Sequence, residues 1–276
     1  MNKIDELKKH ELIILDEIER ICQKHKIKYY LAYGTALGAI RHKGFIPWDD
    51  DIDIHMLNDD LIKFKEICKQ ELSNEFYYQD KLTDKYYYNH WTKIGLENTT
   101  WMPKNRIVDC KYGVCIDIFP MFSMKNTKKD KKRIERYTKL MLITASKYYV
   151  LNNKNQSYAK TKKLIHKIIP NKLNNCLYKF AINKLTTKDK DYDTIVITSI
   201  TKDKNICFKK ENIIGNKKLE FEGRKLPVVN NIDEYLKTFY GDYMTPPKKA
   251  KRHGHDLGNE IIYDFNKSYQ KYMEEK

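Results

Sequence analysis

Between Trp48 and Met56 the chain carries four carboxylates, Asp49, Asp50, Asp51 and Asp53, and from Asp51 onward its polar residues alternate with Ile52, Ile54 and Met56. Alternation at period two marks a strand with one buried face, and residues two apart on a strand lie about 6.6 Å apart on the same side. The pattern therefore predicts a strand over residues 51–56 that buries its isoleucines and presents Asp51 and Asp53 together. Neighbouring carboxylates repel one another. A divalent cation removes that repulsion and keeps coordination positions for phosphate oxygens, so the pair predicts a Mg²⁺ site.

The residues just upstream suit the other half of such chemistry. Lys28 to Tyr33 has strand composition, Gly34 breaks it, and Thr35 to Arg41 is helix-like. A glycine at the turn lets the backbone approach a ligand closely, and Thr35 at the helix start offers a hydroxyl and N–H groups suited to a phosphate oxygen. Arg41, His42 and Lys43 follow as cationic donors, and Trp48 completes the substrate-binding candidates in this run. Metal-assisted phosphoryl chemistry also needs a further ligand or a base for the attacking hydroxyl. Asp117 is the candidate, because Val114, Ile116 and Ile118 alternate with Cys115, Asp117 and Phe119. In the tail, His253 and His255 offer a base or a phosphate donor, with Arg252 beside them.

Elsewhere, apolar residues at Ile4, Leu7, Ile14, Ile18 and Ile21 predict an amphipathic helix ending near His25, with packing as its role. Asn58 is a candidate cap for a helix through Leu72, and strands are expected over 76–78, 86–94 and 114–119. The Lys-rich stretch from Lys125 to about Lys190 predicts two or three helices, broken at Pro170. Strand character returns over 219–229 around Gly223. A helix over 232–240, capped by Asn231 and stopped by Gly241, follows it. This predicts a mixed α/β core over 1–124, a helical lobe over 125–215 suited to acceptor binding, and a completing segment over 216–276.

Lys and Arg outnumber Asp and Glu by 53 to 37, a net charge of +16. Such a surface attracts anions, whether nucleotide phosphates, acidic glycans, headgroups or nucleic acid. A nucleic-acid-binding protein would leave the carboxylate cluster without a reason, and no nucleic-acid motif is present. Six cysteines without a C-x-x-C pair point to reduced thiols in a cytoplasmic setting. No apolar run reaches the roughly 18 residues of a spanning helix, so membrane contact is expected to be peripheral, at the inner face.

The run from Tyr33 to Ile54, YGTALGAIRHKGFIPWDDDIDI, resembles the signature of the LicD family of phosphocholine transferases, to which fukutin-related ribitol-phosphate transferases are also similar. The likeness extends to Asp117–Pro120, Phe221–Gly223 with Pro227 and Val228, Asp233–Leu236, Tyr240–Met244, and Arg252, His253 and His255. No family motif covers the middle helices. The resemblance implies a nucleotidyltransferase-like fold, with Asp51, Asp53 and Asp117 as its acidic positions. It implies transfer of phosphocholine or a related phospho-alcohol from a CDP-linked donor to a glycan hydroxyl, with lipid-linked glycans among the acceptors and CMP leaving. Nucleotidyl transfer to a small acceptor, releasing pyrophosphate, is the alternative on the same fold. One departure lies in the turn Tyr33-Gly34-Thr35-Ala36, where many nucleotidyltransferases carry a second Gly or a Ser.

Overall fold

The computed structural model describes residues 3–152, 160–187, 191–198, 205–248 and 260–273. Helix α1 (Lys3–His25) turns Leu7, Ile14, Leu15, Ile18 and Ile21 onto a sheet. The chain then runs β1 (Tyr29–Leu31), α2 (Tyr33–Arg41), β2 (Asp53–Leu57), α3 (Asn58–Glu71), β3 (Phe76–Gln79), β4 (Thr92–Leu96), β5 (Thr100–Pro103) and β6 (Cys115–Met124). Helices α4 (Lys128–Ala145), α5 (Lys147–Asn152), α6 (Lys160–Ile168) and α7 (Asn171–Leu185) follow, then β7 (Thr194–Thr198), β8 (Asn205–Lys209) and the short α8 (Lys210–Ile213). Hairpin β9 (Lys218–Phe221) and β10 (Arg224–Pro227), helix α9 (Ile232–Tyr240), β11 (Ile261–Asp264) and α10 (Gln270–Met273) close the described chain.

The main sheet is mixed, in the order β1-β2-β6-β4-β3, with β7 and β8 added beside the second half of β6. Its length lets β6 serve both parts: Cys115–Ile118 pair with β4, and Met121–Met124 pair with β7. β2 and β6 are parallel, and their register sets Asp53 opposite Asp117. On the other side of β6, the antiparallel register sets Lys93 of β4 opposite the same Asp117. Three charged side chains thus stand in one row across three strands.

This is the mixed α/β core with a helical elaboration that the sequence predicts, with several local differences. The strand expected over 51–56 begins at Asp53, so Asp51 lies in the preceding turn. That turn is closed by the Asp49 N–H donating to the Ile46 carbonyl at 2.9 Å, and sheet pairing starts only where the Ile52 carbonyl accepts from Asp117 N–H at 3.2 Å. Asn58 is not the cap of α3 but its first residue, and its Nδ2 donates to Thr186 Oγ1 at 2.6 Å. Of the strand expected over 86–94, only Thr92 onward pairs.

Among the described residues the 125–215 stretch contains five helices, α4 to α8, and it also returns β7 and β8 to the sheet. α4 and α7 pack around Ile134, Met141, Tyr178, Ala181 and Leu185 against Phe122, Met124 and Val196. This second core sits on the half of β6 away from the Asp117 end, so the helices are anchored to the same strand that carries the third carboxylate.

Candidate active site

The beginnings of β2 and β6 open into a cavity of about 840 Å³ walled by α1, α2, the 46–53 turn, β4, β6 and the segment after α9. The turn dominates it. Asp49, Asp50 and Asp51 bring carboxylate oxygens within 4.8 Å of one another. Asp53 and Asp117 face the same cavity from the adjacent strands. Asp49 and Asp50 are thus acidic residues that the alternation argument left out of the metal set. Their signal was present in the unbroken Asp49–Asp51 run, but only the turn makes it converge.

Each expected residue can now be placed. A Cβ on Gly34 would stand 2.7 Å from Asp49 Oδ2, so the missing side chain makes room for the acidic turn itself. Thr35 is 3% exposed, and its Oγ1 accepts from the Asp53 N–H at 2.8 Å, which fixes the start of β2 against α2. Arg41 lines the cavity, donates from Nη1 to the Tyr243 carbonyl at 2.7 Å and lies over the Trp48 ring at 5.9 Å. Trp48 lines the cavity too. Lys43 and His42 do not. The chain turns at Lys43 (φ 57°), whose ammonium pairs with Glu220 at 3.6 Å, and His42 packs edge-on to Trp48. Arg252, His253 and His255 lie outside the described residues.

Asp117 is held at two points that the sequence did not reveal. Trp91 Nε1 donates to Oδ2 at 2.8 Å, and Lys93 Nζ stands 3.2 Å from Oδ1 as an ion pair without the alignment of a hydrogen bond. Burial pushes the Asp117 carboxyl up, while Lys93 and Trp91 hold it back. Burial is the strongest influence against the Lys93 charge, but Asp117 together with Cys115, Tyr87 and Tyr77 outweighs it and keeps the ammonium well above its ordinary value. For Asp53 the pull of Lys93 is outweighed: burial first, then Asp51, Asp117 and Asp49, raise it well above the usual carboxylate range. Glu11 of α1, which lines the same cavity, is raised by burial and then by Asp51, Asp50, Asp49 and Asp53. An all-oxygen donor set that resists full ionisation when bare is the kind that a hard divalent cation satisfies.

A strained backbone steers the turn. Tyr33 has φ 40°, uncommon for a residue with a side chain, and its N–H donates to the Tyr235 hydroxyl at 3.0 Å. The same hydroxyl lies 2.9 Å from Nε2 of His55, which is buried on β2. The Tyr33 ring meets His55, Phe119 and Phe239 edge-on. Tyr33, Trp48, Trp91, Phe119, Phe239 and Tyr240 give the cavity an aromatic lining among its acids.

A mixed sheet that gathers acidic side chains at the beginnings of two adjacent parallel strands defines a nucleotidyltransferase-like domain. Residues 26–152 match the family described as LicD/FKTN/FKRP, nucleotidyltransferase domain. The chain is 32% identical over 272 residues to the lipopolysaccharide cholinephosphotransferase LicD of Haemophilus influenzae, covering 91% of this chain and 95% of that protein. It belongs to the LicD family. Uncharacterized proteins of Rickettsia typhi and Rickettsia prowazekii are 42% and 40% identical over 57 residues, 21% of this chain and 18% and 21% of theirs.

Proposed function

We propose that the chain transfers phosphocholine from a CDP-linked donor, CDP-choline first among them, to a hydroxyl of a cell-surface glycan, releasing CMP. The observation that carries this is the near-full-length likeness to a lipopolysaccharide cholinephosphotransferase. In the reaction the acceptor oxygen bonds to the phosphorus bearing choline, and the bond from that phosphorus to the CMP oxygen breaks. The acceptor proton passes to a carboxylate and CMP departs.

The Asp49–Asp51 turn, with Asp53 and Asp117, would hold Mg²⁺, which when bound offsets charge on the pyrophosphate. Arg41 reaches the donor phosphates from the end of α2. Asp117, oriented by Trp91 and Lys93, takes the acceptor proton or serves as a ligand. The aromatic lining supplies faces for a quaternary ammonium, a cation–π attraction that needs no hydrogen-bond donor on the ligand. That favours choline among the phospho-alcohols. Cytoplasmic work on a lipid-linked acceptor suits the basic surface and the exposed Leu164, Ile165 and Ile168 of α6. No helix among the described residues is long and apolar enough to cross a membrane.

The test is product analysis: purified protein with CDP-choline, CDP-ethanolamine, CDP-ribitol or CTP, each with and without Mg²⁺ and a glycan acceptor. Metal-dependent CMP from CDP-choline supports the reading; pyrophosphate from CTP in its place overturns it.

A further inference from the structure

Helix α1 buries Leu7, Ile14, Leu15, Ile18 and Ile21, and Glu11 occupies the place on that face between Leu7 and Ile14 where the repeat calls for an apolar side chain. Glu11 is 2% exposed, and its Oε2 has no hydrogen-bond partner among the described residues. It nevertheless lines the cavity that holds the acidic turn. A buried carboxyl oxygen without a partner is as costly as a broken hydrogen bond, and here it lines a cavity with groups of its own sign. Neither packing nor an internal hydrogen bond accounts for it. A cation between the two walls does.

Glu11 is not in the trio whose oxygens close to within 4.8 Å of one another and lines the cavity from a different wall, on α1, which suits it to a water on the cation. Mg²⁺ keeps several of its waters when carboxylates bind it, and each such water needs an acceptor for its protons. We propose that Glu11 is an outer-sphere carboxylate of the cation site, accepting a hydrogen bond from a water on a divalent ion held by the Asp49–Asp51 turn with Asp53 and Asp117. The inference rests on the cation reading given above and extends it. The site then recruits a helix that precedes residues 26–152, the segment matching the nucleotidyltransferase family, and α1 has a role beyond packing.

Mn²⁺ is the probe, because the unbound ion is counted directly by electron paramagnetic resonance. Full-length wild type, Glu11→Leu, Glu11→Gln and Asp53→Asn are titrated with Mn²⁺, and each is melted without metal. Outer-sphere partners typically contribute about 10- to 100-fold to metal affinity, so both Glu11 variants are expected to bind Mn²⁺ more weakly by that factor. Leucine continues the apolar face, so metal-free Glu11→Leu is expected to melt at or above the wild-type temperature. Unchanged Mn²⁺ affinity in the Glu11 variants overturns the proposal, and near-isosteric Glu11→Gln decides it should Glu11→Leu not fold. The two readings fail separately: wild type that binds no Mn²⁺ sinks the cation site itself, whereas wild-type binding lost in Asp53→Asn but intact in both Glu11 variants sinks only the role of Glu11.

Discussion

Asp117, the carboxylate proposed to act on the acceptor proton or the cation, shows how much such a residue depends on its neighbours. Alternation around Ile116 and Ile118 was enough to place it on the site-facing side of a strand, but Trp91 and Lys93 reach it only through the register of β4 on β6. Cross-strand partners leave no local mark in a sequence, so those two stayed illegible. Trp91→Phe keeps a ring against Phe119, 5.1 Å away in the native protein, and deletes the indole N–H that orients Oδ2. A hydrogen bond to a charged group is worth about 1.5–3 kcal/mol, so turnover should fall by about 10- to 100-fold with the melting temperature little changed; steady-state kinetics beside a melting curve check both. Next to it, His90 is buried, and burial lowers its pKa to about 4. The unfolded chain protonates that ring near its ordinary value of about 6.5 while the folded chain does not. Stability from His90 is therefore complete above that value and is lost as pH falls toward the folded value, at about 1.4 kcal/mol per pH unit. Urea titrations at pH 7 and pH 5 should show the wild type losing about 2 kcal/mol more than His90→Gln over that interval.

At the scale of elements, legibility follows the range of the signals. α9 runs where the sequence sets it, because both ends are local: Asn231 Oδ1 accepts from Glu234 N–H at 3.2 Å, and Gly241 stops the helix at φ 66°. The β9–β10 hairpin likewise turns at Gly223, φ 75°. The start of β2 was misplaced because acidic–apolar alternation continues through a turn that the Ile46 carbonyl closes. β7 went unread within a Lys-rich stretch although Thr194–Thr198 is a run of β-branched residues, all of them buried. β5 and β11 pair across more than a hundred residues, for which no local signal exists. The junction of α2, β2 and α9 depends on one hydroxyl: Tyr235 accepts from Tyr33 N–H and meets His55 Nε2. Tyr235→Phe leaves both buried groups without that partner, at about 1–3 kcal/mol for each group left unsatisfied. Denaturant unfolding should shift by that order with an unchanged slope. Activity should also fall, because the left-handed turn at Tyr33 leads directly into Gly34 and the acidic turn above it.

For the molecule as a whole, charge is divided unevenly: a chain of net charge +16 encloses a cavity where, among the described residues, Glu11, Asp49, Asp50, Asp51, Asp53 and Asp117 meet Lys93 and Arg41. The basic exterior draws phosphate-bearing substrates inward, and the acidic interior turns them away unless cations arrive too. Folding brings these carboxylates together against their repulsion, so the metal-free protein carries a stability cost that ligand binding can remove. A cation that binds only the folded state stabilises it by about 2.7 kcal/mol at a hundredfold excess over Kd, which in a domain this large raises the melting temperature by about 5–10 °C. Mg²⁺ should produce that shift and a chelator reverse it, whereas monovalent salt at equal ionic strength should not. Asp53→Asn separates charge relief from metal binding. Losing one of the crowded charges should raise the metal-free melting temperature above that of wild type, because burial and its acidic neighbours disfavour the Asp53 carboxylate. Losing a ligand should abolish the Mg²⁺ shift and lower turnover by about a hundredfold or more. A variant that is more stable without metal, indifferent to Mg²⁺ and inactive would identify the carboxylate cluster as a place where stability is given up for chemistry. An Asp53→Asn protein that kept both its Mg²⁺ shift and its turnover would move the site away from β2.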